Sequence, residues 1–374
     1  MTERLSDLLH RAADDLAVPP APSATVLRRG RAVRRRHGVR LGAGAVALLL
    51  AGGIGVAAVT GSDDPAARRG VDPAGSGSEG MTGATFTVGV TVYYNGGADH
   101  ATIDDKAIKS SYYTSAGLLV RHGNNNASDG GGPQRFSLVR PDGTVSPVSV
   151  VTEEAVPGVD PAQPYLAYTE VVDDVVQVVV HDVSSDEEVA RVSLPGTFQW
   201  GGWSGPPVAL SGDTVYVGTD DVARTVNWRT GEMRDSDVLA PGYPTVMGGR
   251  SIRSDNDTAI VVDAATGETL LSIPVHGYQY LTLSPDGRFA TLDGQDGRSF
   301  DVYDIDDGTH TTFEGGLFEY GWTPEDELAH LEDSHVTTCS PTTGDCTTGR
   351  ETIPAQGGGV APKDVRFAGQ TYES

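Results

Sequence analysis

The side chains with the widest chemical reach in this chain are two cysteines, Cys339 and Cys346, and nine histidines. The cysteines bracket Ser-Pro-Thr-Thr-Gly-Asp, a turn-forming stretch. A pair supplies neither the four ligands of a structural zinc site nor a C-x-x-C redox motif. Across a hairpin two cysteines can face each other at bonding distance, so a structural disulfide is expected, and with it an oxidising compartment.

The other candidates point to structure more than to catalysis. The histidines are scattered, and the chain contains no H-E-x-x-H zinc pair, no G-x-S-x-G nucleophile elbow and no Walker-type phosphate loop. Their densest group is His330 and His335 with Glu332 and Asp333. Alternation along a strand and loop is expected to splay these four into an exposed polar edge. Asp304, Asp306, Asp307 and Gly308 approach a calcium loop but lack its D-x-[DN]-x-[DN]-G spacing and closing Glu; a hairpin turn accounts for them. Asp293, Asp296 and Gly297 are weaker still. The G-x-G-x-x-G at Gly75, Gly77 and Gly80 is flanked by neither strand nor helix, which dinucleotide binding requires. Two aromatic groups, Trp200 with Trp203 and Phe318 with Tyr320 and Trp322, either line a ligand face or pack between sheets. Two of them sit at the start of expected strands, which favours packing. No catalytic residue, cofactor-binding residue or metal ligand is therefore assigned.

The elements that would position these residues are short and β-rich. From Ala84 onward no long helical period occurs; runs such as Val176–Val180, Thr214–Val217, Thr258–Val262 and Phe300–Ile305 alternate with turn clusters. Hairpin-like turns recur at Gly96, Gly143, Asp186, Gly231, Gly267, Gly308 and Gly344, separated by about 47, 43, 45, 36, 41 and 36 residues. That is the period of four-stranded propeller blades. Residues repeat as well as spacing. Leu283-Ser-Pro-Asp-Gly-Arg-Phe-Ala-Thr-Leu292 matches Trp322-Thr-Pro-Glu-Asp-Glu-Leu-Ala-His-Leu331, and Leu210-Ser-Gly-Asp-Thr-Val-Tyr-Val217 is a fainter copy. One such unit cannot bury both faces of its sheet, so neighbours must stack on it. The expected fold class is all-β: a β-propeller of about seven four-stranded blades, with six left open, over residues 84–374. Asp364–Phe367 is expected to pair with the strands around Phe86–Tyr94 and close the ring. A β-sandwich would show fewer and less regular repeats.

Charge and hydropathy divide what precedes the propeller. Residues 1–40 hold nine arginines against four acids, which leaves 18 of the 27 basic and 47 of the 51 acidic residues beyond them, a balance of about −29. A surface so negative repels nucleic acid, which is excluded as a partner of the main domain. Leu41–Thr60 carries no charge, and at 1.5 Å per residue its helix spans about 30 Å, the thickness of a bilayer core. Arg34, Arg35, Arg36 and Arg40 precede it while Asp63 and Asp64 follow, so the positive-inside rule puts the N-terminus in the cytoplasm. A cleaved signal peptide has a shorter charged region and a shorter apolar stretch, which favours an uncleaved anchor. Leu5, Leu8, Leu9, Ala12, Ala13 and Leu16 lie at helical spacing in the tail before Pro19 and Pro20 stop it, a helix marginal on its own. Residues 61–83, rich in Gly, Ser, Pro and Asp, read as a flexible linker.

Leu283-Ser-Pro-Asp-Gly-Arg288 and Val262-Asp-Ala-Ala-Thr-Gly-Glu268 resemble blades of the TolB-like, Trp-Asp-repeat-like and quinoprotein-like propeller superfamily. The order of basic tail, Gly/Ala-rich span and acidic propeller also resembles membrane-anchored β-propeller proteins of high-GC actinobacteria. The resemblance covers roughly residues 84–370 and implies fold alone. Trp-Asp dipeptides and the regular tryptophans of quinone-binding blades are missing, so neither ligand chemistry carries over.

Taken together, these features describe a single-pass plasma-membrane protein with its propeller outside the cytoplasm. The propeller is expected to act as a binding module for a protein or small ligand. Two alternatives stay open. One is an enzyme, a hydrolase or lyase, with carboxylates or histidines converging on the propeller funnel. The other is a regulator whose tail engages a signalling partner such as a sigma factor; the tail lacks the His-Cys-Cys pattern of zinc-type anti-sigma proteins.

Overall fold

The computed structural model describes residues 81–369, apart from 127–130, 200–203, 256, 277–278, 295–296, 333 and 354–364. The chain divides into two units, Met1–Arg69 and Gly70–Ser374, and every described residue belongs to the second. The expected tail, apolar span and G-x-G-x-x-G lie outside the described residues, as do Trp200, Trp203, Asp296, Asp333 and Asp364. Among the described residues no helix is long and apolar enough to cross a membrane.

The described residues form seven four-stranded antiparallel sheets, the blades of a seven-bladed β-propeller. Blades 2 to 7 follow chain order: residues 107–152, 158–194, 208–235, 246–274, 281–314 and 320–352. Blade 1 combines Phe86–Val88, Thr91–Tyr94 and Asp99–Thr102 with a strand from the other end of the chain, Val365–Phe367. In that pairing Phe86 faces Phe367 and Val88 faces Val365, so the C-terminal strand supplies the innermost position of the first blade. Closure of this kind removes the two edges an open array would expose.

The third strand of blade 3 shows why these sequences form blades. Val175–Asp182 reads VVQVVVHD, a nearly continuous apolar run, which marks a strand buried on both faces. Val176, Val178 and Val180 pack with Val208, Leu210, Val215 and Val217 of blade 4. Val179, pointing the other way, packs with Leu119, Phe136 and Leu138 of blade 2. The period-two alternation of a strand thus joins each blade to both neighbours.

All seven turn residues singled out in the sequence occupy one structural position, the hairpin between third and outermost strands. Their φ values run from 58° at Asp186 through 66° at Gly96 to 81° at Gly143. Tight hairpins require this left-handed backbone, which glycine adopts without steric cost. The repeated stretches beginning at Leu210, Leu283 and Trp322 likewise share one place, the hairpin from innermost to second strand. There Ser284 Oγ accepts the Phe289 N–H at 2.9 Å, and Thr323 Oγ1 accepts the Glu327 N–H at 3.1 Å.

Cys339 and Cys346 face each other across the third and outermost strands of blade 7 and form the expected disulfide, S–S 2.05 Å. Cys339 is buried among Phe289, Trp322 and Leu328, so the bridge ties the outermost strand to the packing between blades 6 and 7. Closing this short loop contributes about 2–3 kcal/mol on the entropic account.

Up-and-down connectivity gives the ring two unlike faces. One carries the hairpins just described, and is the turn face. The other carries the hairpins between second and third strands together with the links from blade to blade, and is the connection face. The chain enters the ring at the turn face: the Thr82 N–H bonds Asn95 Oδ1 at 3.0 Å and the Gly83 N–H bonds the Glu325 carboxylate at 2.9 Å.

Candidate recognition face

On the turn face the carboxylates serve the backbone. Asp263 Oδ1 accepts the N–H groups of Ala265 and Thr266 at 3.0 and 2.7 Å, and Asp304 Oδ1 accepts that of Asp306 at 3.0 Å. The Thr144 N–H beside Asp142 and the Thr309 hydroxyl beside Asp307 hold those two carboxyls below the usual carboxylate range. Asp304, Asp306 and Asp307 therefore build a hairpin. Among the described residues, no three His, Cys, Asp or Glu side chains are grouped so as to hold a metal ion.

The connection face has another chemistry. Tyr243, Tyr280 and Phe318 lie on three successive links, from blade 4 to 5, 5 to 6 and 6 to 7, and are 41%, 37% and 48% exposed. Tyr280 and Phe318 meet edge to face with centroids 5.6 Å apart. Farther round the same face, the tip of the second-to-third hairpin of blade 3 exposes Val171, Val172 and Val175 around Asp173 and Asp174.

Beside Tyr243 a cleft of about 410 Å³ separates the blade 4–5 link from the second strand of blade 5. Asp237, Leu239 and Thr245 line one side, and Ser251, Arg253 and Ser254 the other. A smaller cavity, about 60 Å³, lies in the central channel against the innermost strands, walled by Tyr112, Val208, Leu210, Val246, Met247 and Pro285. Tyr243, Pro244 and Thr245 belong to both walls. Glycine makes this placement feasible: a Cβ on Gly218 would stand 1.7 Å from the Gly242 carbonyl oxygen, so the link lies directly on the second strand of blade 4.

A buried chain of polar groups, not foreseen from the sequence, lies in blade 2. Asp105, on the link from blade 1, meets His122 Nδ1 at 2.6 Å, and His122 Nε2 meets Ser137 Oγ at 2.9 Å. Arg135 forks onto Asp105, with Nε and Nη2 each at 2.9 Å from a separate carboxylate oxygen. Burial alone pushes the Asp105 carboxyl up, but bonds from His122, the Lys106 N–H and Arg135 together outweigh it and hold the group low. An ionised carboxylate only accepts, so Nδ1 carries the ring proton, and a neutral ring then accepts the Ser137 hydroxyl at Nε2. These are the contacts of a Ser-His-Asp triad. Ser137 is only 6% exposed, however, and it lines neither the channel cavity nor the cleft. The group acts as a clasp that holds the blade 1–2 link against two strands of blade 2.

The residues singled out in the sequence divide. Strand register places His330, Glu332 and His335 on one side of the blade 7 sheet, because Glu332 pairs with His335; the expected splaying does not occur. The His330 ring instead packs on Tyr320 at 4.4 Å, and burial lowers its pKa against the opposing effect of Glu332 and Glu319. Trp322 is core and stacks on Phe289 at 5.6 Å, whereas Phe318, four residues earlier on the link, is surface. The clasp left no local signal, since its members are spread across two strands and a link. Tyr243-Pro244 was the one visible hint of the cleft, an aromatic followed by a residue that keeps the chain extended.

No family model and no curated protein matches the chain. Among solved structures it is similar to a functionally unknown protein from Desulfotomaculum acetoxidans, at 10% identity over 73% of this chain and 96% of that one, TM-score 0.45. It is also similar to apo AztD from Citrobacter koseri, at 13% identity over 71% and 93%, TM-score 0.43. A third is Kluyveromyces lactis Hsv2, at 16% identity over 62% and 74%, TM-score 0.41.

Proposed function

We propose that this chain is a single-pass membrane protein whose propeller, held outside the cytoplasm, binds a partner through its connection face. The observation that carries the reading is the exposure of Tyr243, Tyr280 and Phe318 on successive links beside a cleft of about 410 Å³. Aromatics are the side chains most enriched in interface cores, and links held by stacked sheets present them rigidly. The uncharged Leu41–Thr60 run and the arginines before it support the membrane placement and orientation. The enzyme alternative calls for converging acids or histidines at the funnel, and the described residues lining the channel cavity include no acid and no histidine.

Photo-crosslinking in the native host tests this. Benzoylphenylalanine placed at 280 or 318 is expected to capture a discrete adduct, and the same group at Asp213 or Asp345 on the turn face is not. Adducts from the turn face alone would overturn the assignment.

A further inference from the structure

The cleft and the channel differ in chemistry yet share a wall. The channel cavity is apolar and, at about 60 Å³, far below the roughly 300–1,000 Å³ of sites that enclose drug-sized ligands. It has room for one short aliphatic side chain. The cleft, about 410 Å³, offers hydroxyls at Thr245, Ser251 and Ser254 and a carboxylate at Asp237. Such groups suit a polypeptide main chain and polar side chains. Tyr243 stands between the two spaces and contributes to both.

Charge narrows the occupant. Asp221, Asp237 and Asp257 are exposed on the link and the neighbouring second-to-third turns, with Arg253 the cation in the cleft wall. They belong to a chain of net charge −24, whose long-range field favours cationic partners. Anionic lipid headgroups would repel so acidic a surface, which sets a membrane aside as the occupant.

We infer that the cleft and the channel mouth together hold an extended basic polypeptide segment, which places one aliphatic side chain in the channel. This rests on the reading of the connection face as the recognition face, and adds to it the chemistry of the partner.

The test is selection of random phage-displayed dodecapeptides on the full chain in mild detergent, followed by titration of the fluorescein-labelled consensus peptide. The expected consensus sets Lys or Arg around a single Val, Leu or Ile. Its affinity should fall about 10-fold or more in Tyr243→Ala and in Asp237→Lys. Both positions are exposed, so the thermal midpoints should stay close to wild type. An acidic consensus, no consensus, or affinity indifferent to both substitutions overturns the inference. Binding to phosphatidylcholine–phosphatidylglycerol vesicles that is lost in Tyr243→Ala also overturns it, in favour of a lipid surface. Failed selection with intact crosslinks from 280 and 318 leaves the recognition face standing and removes only the basic-peptide chemistry; loss of both removes the two together.

Discussion

Removing Val365–Ser374 is expected to abolish the cooperative unfolding transition of the propeller. The deleted segment includes the innermost strand of blade 1, whose residues pair with Phe86, Thr87 and Val88. With it go the buried Phe367 and Ala368 and the bond from the Arg366 guanidinium to the Lys109 carbonyl at 2.6 Å. Phe367 packs on Phe86 at 5.8 Å between centroids, so Phe367→Ala alone should cost about 3–5 kcal/mol. Domains are stable by only about 5–15 kcal/mol in total, and loss of the whole strand takes most of that. Guanidinium denaturation followed by tryptophan fluorescence measures both variants. A truncated chain that keeps the wild-type midpoint would show that the ring is not closed by this strand.

Asp105→Ala is expected to destabilise the protein by about 3–5 kcal/mol, since it leaves a buried histidine and an arginine without the carboxylate that compensates them. The Asp105 and His122 side chains are each 7% exposed, so water compensates little; Arg135, at 41%, recovers its solvation more readily. Acid acts on the same group. The Asp105 pKa is lowered on folding from its ordinary 3.8, so its stabilisation is complete at neutral pH and down to about that value. It is lost as pH falls through the folded-state pKa. Wild type should therefore lose stability below about pH 4, and Asp105→Ala should show a shallower loss over the same range. Parallel pH profiles of the two would contradict the clasp.

How much of this was legible in the sequence follows from what each feature depends on. Turns depend on local backbone conformation, so Gly96, Gly143, Asp186, Gly231, Gly267, Gly308 and Gly344 could be read from residue type and spacing, and all proved equivalent. The closing strand was legible because a propeller needs its edges covered and few apolar residues lie near the C-terminus. Cys339 and Cys346 were legible because they flank such a turn.

The clasp was not, because Asp105, His122 and Ser137 become neighbours only through strand pairing and a link between blades. His330, Glu332 and His335 were misjudged for a related reason: alternation tells which side a residue takes on its own strand, but register decides which residue on the next strand joins it. The aromatics near Phe318 divide at the strand boundary. Trp322, inside the strand, is buried between blades, while Phe318, before it, is left on the link where a partner can reach it.

Labelling of intact cells with a membrane-impermeant maleimide tests the central claim most directly, using a Phe318→Cys variant whose native cysteines stay bonded to each other. A propeller displayed beyond the membrane should react before lysis as fully as after it. Reaction only once the cells are broken would place the propeller in the cytosol and contradict the account.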